Sequence, residues 1–357
     1  MMKPATRLLA ILYLALALPA CAQAPGARAG TLVTVTIHSP ALEGNKLGDP
    51  ADQEVLIYLP PSYSSAPDRR FPVFYLLHGY TGVPEAWTLG MKLPEIMDRL
   101  IASGAAREMI VVMPNGKNKY LGSMYSNSSV SGNWEDYIVR DVVNYVDGHY
   151  RTLARPGSRG IAGHSMGGYG ALMLAMKHPD VFSAVYALSP CCTVMKAELS
   201  AANPVWHAAI AAQRNSTFYA APQGPEQFFT DAFKAQAVAW APNPADPPLY
   251  GEMAYREEGG TLVMNGPAFK QWDDHTPVTA APNYKSNLLQ LRAITIDYGL
   301  QDQFAHIRLG ARLLSDELAE MGVPHTLATY TGDHGDHVRE RFENFVVPFF
   351  SRVLEEK

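Results

Sequence analysis

Ser165 lies in Gly163-His164-Ser165-Met166-Gly167, a spacing of glycines about a serine that can support nucleophilic chemistry. A serine hydroxyl is a weak nucleophile on its own. It needs a neighbouring base to take its proton and an exposed perch from which to reach a carbonyl. The glycines suit that perch, because a side chain two residues either side of Ser165 would collide with the facing strand or helix. Gly160-Ile161-Ala162 before the motif is apolar, as a buried strand should be. Residues 166–178 after it are rich in helix formers, with Leu172, Met173 and Met176 at helical spacing, and Pro179 stops the helix. The competing reading is a Gly-rich turn with a passive serine, which leaves the strand, turn and helix context without a purpose.

An activated serine needs a histidine as base and an acid to orient that histidine. Both belong on loops after strand C-termini, the edge where open α/β sheets bind ligands. Asp302 is the candidate acid, a few residues past a strand expected over 291–297. It can also be read as the N-cap of the next helix. Asp297, at the strand end itself, is the second candidate. His334 is the candidate base, a few residues past a strand expected over 325–330; His337 competes with it, and His325 starts the strand at the wrong edge. Asp333-His334-Gly335-Asp336-His337 can also be read as a metal cluster, but no second His-rich or Cys-rich group supplies further ligands. The oxyanion formed during acyl transfer needs preorganised N–H donors. The amide of Met166 is one candidate, and the amide of Tyr80, in His78-Gly79-Tyr80-Thr81-Gly82, is the other. His78 reads as structural, because only one base is needed.

The elements that must position these groups are legible along the chain. Strand-like runs occur at 31–38, 54–59, 71–77, 107–113 and 181–188, and helical patterns at 134–150, 303–321 and 338–354. Strands alternating with helices imply βαβ units and a mostly parallel sheet covered on both faces. Residues 115–133 read as a long polar loop, a kind that is usually functional or mobile. Residues 200–289 are rich in Ala and Pro with weak periodicity, and read equally well as a cap over the site or as a peripheral insertion.

The chain has 357 residues, 47% hydrophobic and 18% charged, with a net charge of −5. That composition is globular and lacks the basic surplus of a nucleic-acid binder. Lys3 and Arg7 precede an apolar run from Leu8 to Leu18, then Ala20-Cys21-Ala22, the order of an export signal. Leu18-Pro19-Ala20-Cys21 also resembles a lipobox, in which Cys21 would carry a lipid and tether the protein to a membrane. Residues 1–24 are therefore expected to be a signal, 25–50 a linker and first strand, and 51–357 the catalytic domain. Localisation is expected to be periplasmic or secreted. Cys191 and Cys192 are the other cysteines, so no disulfide framework and no CxxC zinc site can be built.

Leu76-Leu77-His78-Gly79, Gly132-Asn133-Trp134-Glu135-Asp136-Tyr137, Tyr150-Arg151-Thr152, the Gly-His-Ser-Met-Gly-Gly block, His178-Pro179-Asp180 and Tyr330-x-Gly332-x-His334 together resemble an esterase family. It includes esterase D (S-formylglutathione hydrolase), feruloyl and acetylxylan esterases, and the mycolyltransferases. The resemblance covers residues 50 to 350. It implies the α/β-hydrolase fold, a mostly parallel sheet with helices on both faces, here with an inserted segment. It implies Ser165 as nucleophile, Asp302 (in Asp297-x-Gly299-x-x-Asp302-x-Phe304) as acid, His334 as base, and Tyr80 and Met166 as oxyanion donors. It implies no metal or organic cofactor, and a small-molecule or carbohydrate-linked ester as substrate. Three activities are open at this point: an exported serine ester hydrolase, an acyltransferase using the same groups, and a non-catalytic binding module.

Overall fold

A computed structural model describes residues 29–214 and 223–356. The expected signal segment and Cys21 lie outside the described residues. The main sheet has eight strands: β1 (Thr31–His38), β2 (Asp52–Leu59), β3 (Val73–Leu77), β4 (Ile110–Pro114), β5 (Arg159–His164), β6 (Ala184–Leu188), β7 (Ala293–Gly299) and β8 (Thr326–Tyr330). Their order across the sheet is β1-β2-β4-β3-β5-β6-β7-β8. β2 runs antiparallel to both its neighbours, and every pairing from β4 to β8 is parallel.

The central strands are short apolar runs because both of their faces are covered. Val73, Tyr75 and Leu77 of β3 point into one buried layer, and Phe74 and Leu76 into the other. The second layer is closed by Phe342, Val346 and Phe350 of the C-terminal helical segment, and the Phe350 ring stacks on Phe74 at 4.7 Å. The first layer contains the helix Met166–Lys177, which is buried on nearly every side. That explains why its sequence is apolar all round rather than amphipathic.

Two of the quoted motifs meet at the far end of this helix. Glu135 Oε1 accepts from His178 Nε2 at 2.8 Å, and Oε2 accepts from Lys177 Nζ at 2.7 Å. The carboxylate thus ties the end of the helix that begins beside Ser165 to the helical residues 134–149.

The loop at 115–133 is not a loose polar excursion. Tyr120, Leu121, Met124 and Tyr125 are buried, and so are Asn118, Ser123, Ser126, Ser128 and Ser131. The side chains of Asn118, Ser123, Ser126 and Ser128 serve the internal hydrogen bonds that a buried backbone requires. Asn118 Oδ1 accepts from the amides of Tyr120 and Gly122, and Ser128 Oγ donates to Val238 O at 2.6 Å. The sequence showed polarity; the structure shows that the polarity faces inward.

The inserted segment packs on the sheet's C-terminal edge. Its helix Pro225–Trp240 buries Phe233, Ala237 and Trp240; the Trp206 ring stacks on Phe233, and Trp272 meets both edge-on. Trp87, Trp134 and Trp206 are all buried in the core.

The turn at Ser165 is closed backbone against backbone. A Cβ on Gly163 would lie 2.2 Å from the Gly167 backbone, and one on Gly167 would lie 2.0 Å from Leu77 O. Real Cβ atoms do not tolerate such distances, and a backbone atom cannot swing aside as a side chain can. Gly167→Ala should therefore lower stability by about 3 kcal/mol, read as a fall in the urea midpoint followed by far-UV circular dichroism. Gly148, where a Cβ meets nothing, supplies the control: Gly148→Ala should not show the loss.

Candidate active site

Ser165 stands between the end of β5 and the start of the helix Met166–Lys177, with φ 58° and ψ −119°. This is a strained conformation for a residue with a Cβ, and such strain marks sites where backbone geometry serves function. The turn is fixed from three sides. Ser165 N donates to Leu188 O at 3.0 Å, and Ser165 O accepts from Tyr169 N at 3.0 Å and Cys191 N at 3.2 Å.

Asp302 and His334 are brought together by the loops after β7 and β8. His334 Nδ1 lies 2.7 Å from Asp302 Oδ2. A carboxylate only accepts, so Nδ1 carries the proton and Nε2 is left as the basic nitrogen. The Asp302 side chain is fully buried and that of His334 is 12% exposed. Asp302 Oδ1 accepts from Phe304 N at 3.0 Å, which fixes the carboxylate. Backbone bonds lace the two loops: Leu300 N to Tyr330 O at 2.8 Å and Gln301 N to Gly332 O at 3.0 Å. Gly299 permits this approach, because a Cβ there would sit 2.3 Å from Gly332 O. Gln303 Oε1 accepts from His334 N at 3.1 Å, and the Phe304 ring meets the His334 ring edge-on at 4.9 Å.

The alternatives at these positions fall elsewhere. Asp297 is fully buried and accepts from Arg341 Nε and Nη2 and from Tyr186 Oη, so it anchors the sheet to the C-terminal helix. His337 is exposed and pairs with Glu340. Asp333 and Asp336 bond the amides of their own turn. Asp302 does not cap the helix Ala305–Glu320 directly; Glu198, from the segment after β6, accepts from the amides of Ala305 at 2.7 Å and His306 at 2.8 Å instead.

His164 was not singled out from the sequence, although it adjoins the serine. Its Nε2 donates to His334 O at 2.9 Å, and the two rings lie 4.6 Å apart. Burial and the neighbouring His334 push its pKa down to about 3, so it stays neutral and acts as a brace between the two loops. Only its position inside the motif could have flagged it. Gln303 and Glu198 carry no local signal, because their partners lie about 30 and 107 residues away in the chain.

The loop after β3 closes the other side. A Cβ on Gly79 would lie 3.3 Å from Ser165 Cβ, so this loop rests against the serine and the Tyr80 amide follows directly. Neither Tyr80 N nor Met166 N donates to a backbone acceptor among the described residues. The loop is fixed by His78, whose Nδ1 donates to Gly79 O at 2.9 Å and whose Nε2 accepts from Gly116 N at 2.8 Å. Tyr125 Oη donates to His78 O, and Thr81 N donates to Leu121 O. His78 is thus structural, as the need for only one base suggested.

A narrow pocket of about 40 Å³ opens beside Ser165. Tyr80, Met124 and Met166 line one part, and Phe228, Phe229 and Phe304 another. Phe228 and Phe229 come from the inserted helix, so the inserted segment contributes directly to the site.

The sequence profile of a family described as "Putative esterase" matches residues 49–353. An endo-1,4-beta-xylanase/feruloyl esterase of Xylanibacter ruminicola is 29% identical over 133 residues, 36% of this chain and 18% of that protein. An esterase of Mycobacterium tuberculosis is 34% identical over 133 residues, 36% of this chain and 27% of that protein. The match thus spans less than a third of either curated relative. Among solved structures, a ferulic acid esterase shares the fold with a TM-score of 0.63 and 21% identity, covering 92% of this chain and all of that one.

Burial brings the His78 pKa down to about 4, below its unfolded value near 6.5. Between those values the unfolded chain binds the proton and the folded one does not, so stability falls as pH falls from 6.5 towards 4. His164 acts in the same direction. The urea midpoint should drop by the equivalent of a few kcal/mol over that window, and His78→Asn, which cannot titrate, should flatten the dependence. An equally steep fall in the variant would remove His78 as its cause.

Proposed function

The chain belongs to the esterase family whose profile covers residues 49–353, and from that premise we propose that it is an exported serine carboxylic-ester hydrolase. The observation that carries the reading is the 2.7 Å hydrogen bond between His334 Nδ1 and Asp302 Oδ2, on loops braced by His164 next to the strained Ser165. In this reading Ser165 Oγ attacks the ester carbonyl as His334 Nε2 takes its proton. The amides of Met166 and Tyr80 receive the oxyanion. His334 then protonates the departing alcohol, leaving an acyl-enzyme on Ser165. Water, activated by the same nitrogen, releases the acid.

Each group has a physical reason for its part. Asp302 is held by the Phe304 amide, so it can fix the imidazole tautomer and stabilise the imidazolium that forms. Met166 opens a helix, so its amide sits in the positive end of the helix dipole. The pocket walls are apolar and aromatic, which supports an apolar acyl group held between Phe228, Phe229 and Phe304. The basic start, apolar run and small residues at the N-terminus support export.

Ser165→Ala and His334→Ala should each cut kcat/KM for p-nitrophenyl acetate by roughly 10³-fold or more, with far-UV circular dichroism unchanged. His337→Ala should stay within about twofold of the parent, as expected of an exposed side chain outside the catalytic constellation. Retained turnover in the serine variant would overturn the mechanism. Truncating the aromatic wall in Phe228→Ala should raise the ratio of kcat/KM for hexanoate over acetate esters, and an unchanged ratio would exclude that wall from the acyl pocket.

A further inference from the structure

The pocket beside Ser165 also holds groups for which ester hydrolysis has no use. Cys191 and Cys192 follow the end of β6, and both border the pocket together with His306 and Gln236. Their Sγ atoms lie 2.7 Å apart, and Cys192 adopts the left-handed φ of 60°. Gln236 Nε2 donates to Cys192 Sγ at 3.0 Å. His306 is 4% exposed; its Nδ1 donates to Glu198 Oε2 at 3.0 Å. Its Nε2 is buried with no hydrogen-bond partner, sulfur included, and it borders the same pocket as Cys192.

The Glu198-bound imidazole and the thiol therefore share one pocket, and a nearby imidazolium favours a thiolate. Glu198 is locked in place by the amides of Ala305 and His306. Burial by itself would raise the Cys192 thiol, but contacts from Cys191, His306 and Gln236 bring it below the usual range. Burial by itself would lower His306, yet Cys192 and Glu198 lift it to about 9. Cys191, lacking such partners, is kept protonated by burial. The two sulfurs thus differ in role: one is poised to attack, and the other is a protonated neighbour within reach.

We propose that Cys191 and Cys192 are a second reactive site in this pocket, a vicinal dithiol in which hydroperoxides oxidise Cys192 and Cys191 resolves the product to a disulfide. The Cys192 thiolate attacks the nearer peroxide oxygen, the O–O bond breaks, and the leaving alkoxide or hydroxide takes the proton of His306. Neutral His306 then accepts the Cys191 proton. The Cys191 thiolate attacks Cys192 sulfur, the S–O bond breaks, and hydroxide leaves as water with that proton. Two thiols lose two electrons in total, and the peroxide gains them. Adjacent Cα atoms are about 3.8 Å apart, below the span of an ordinary disulfide. The product is strained for that reason, and strained disulfides are readily reduced by thiols. The narrow pocket favours a small peroxide over bulkier oxidants.

The test uses the full reduced chain, hydrogen peroxide as the probe, and mass spectrometry of the peptide carrying residues 191 and 192. That peptide should lose about two mass units, one disulfide's worth of hydrogen, and regain them with dithiothreitol. Cys191→Ser should stop at a sulfenic acid on Cys192 that dimedone traps. His306→Gln should slow oxidation at pH 7 by several-fold, because an imidazolium near the pair favours the thiolate. Gln236→Leu should slow it in the same sense and serves if the histidine variant does not fold. The proposal fails if the peptide keeps its mass under peroxide, if Cys192→Ser oxidises at Cys191 as fast as the parent, or if His306→Gln and Gln236→Leu both react at the parent rate. None of these readouts depends on ester turnover, so they stand or fall apart from the esterase reading.

Discussion

Backbone contact without intervening side chains is the constraint on which this structure depends. The start of the helix Met166–Lys177 lies directly against β5 and the end of β3, close enough that no Cβ fits at Gly163 or Gly167. This approach forces Ser165 into a left-handed conformation that a serine adopts only under compulsion. The same contact presents the Met166 amide and the loop at Gly79 to one point in space. A looser junction would relax the serine and separate it from both amides.

The strain is held by the rest of the fold rather than by the turn. Glu135 anchors the far end of the helix through His178 and Lys177, so the helix cannot slide back to relieve the crowding. His78 and Tyr125 fix the loop on the other side. Glu135, His78 and Tyr125 are buried with their polar atoms hydrogen-bonded, which makes them rigid rather than merely costly. The loops carrying Asp302 and His334 use a different device. They are laced backbone to backbone, with Gly299 allowing the approach and His164 bracing the serine's own strand end to the His334 carbonyl.

The inserted segment gives the pocket its character. Phe228 and Phe229 extend over the serine from a helix whose own core is built on Trp206, Phe233 and Trp272. Its Gln236 also reaches Cys192, and Glu198 ahead of it caps the helix that begins next to Asp302. One segment therefore meets the pocket beside Ser165, the cysteine pair and Phe304 in the loop after β7, which couples their shapes.

Local sequence determined a great deal here because its signals were steric and periodic. Glycines about Ser165, apolar runs of strand length and helical spacing placed the sheet strands to within a few residues. Asp302 and His334 were legible as residues just past strand ends, and the structure brings their side chains into contact. Other features depended on distant contacts that no local pattern encodes. The loop at 115–133 read as polar because it is polar, but whether its hydroxyls and amides face water or protein depends on what packs around them. His164, Gln303 and Glu198 gain their meaning from partners brought close only when the loops meet. Two adjacent cysteines looked like an absence of disulfides; tertiary packing set Gln236 against one of them and brought His306 to the same pocket. Sequence determined the perch of Ser165, because hard-sphere crowding is local. The tertiary structure decided the pocket and the electrostatics around it, because both depend on groups that only folding brings together.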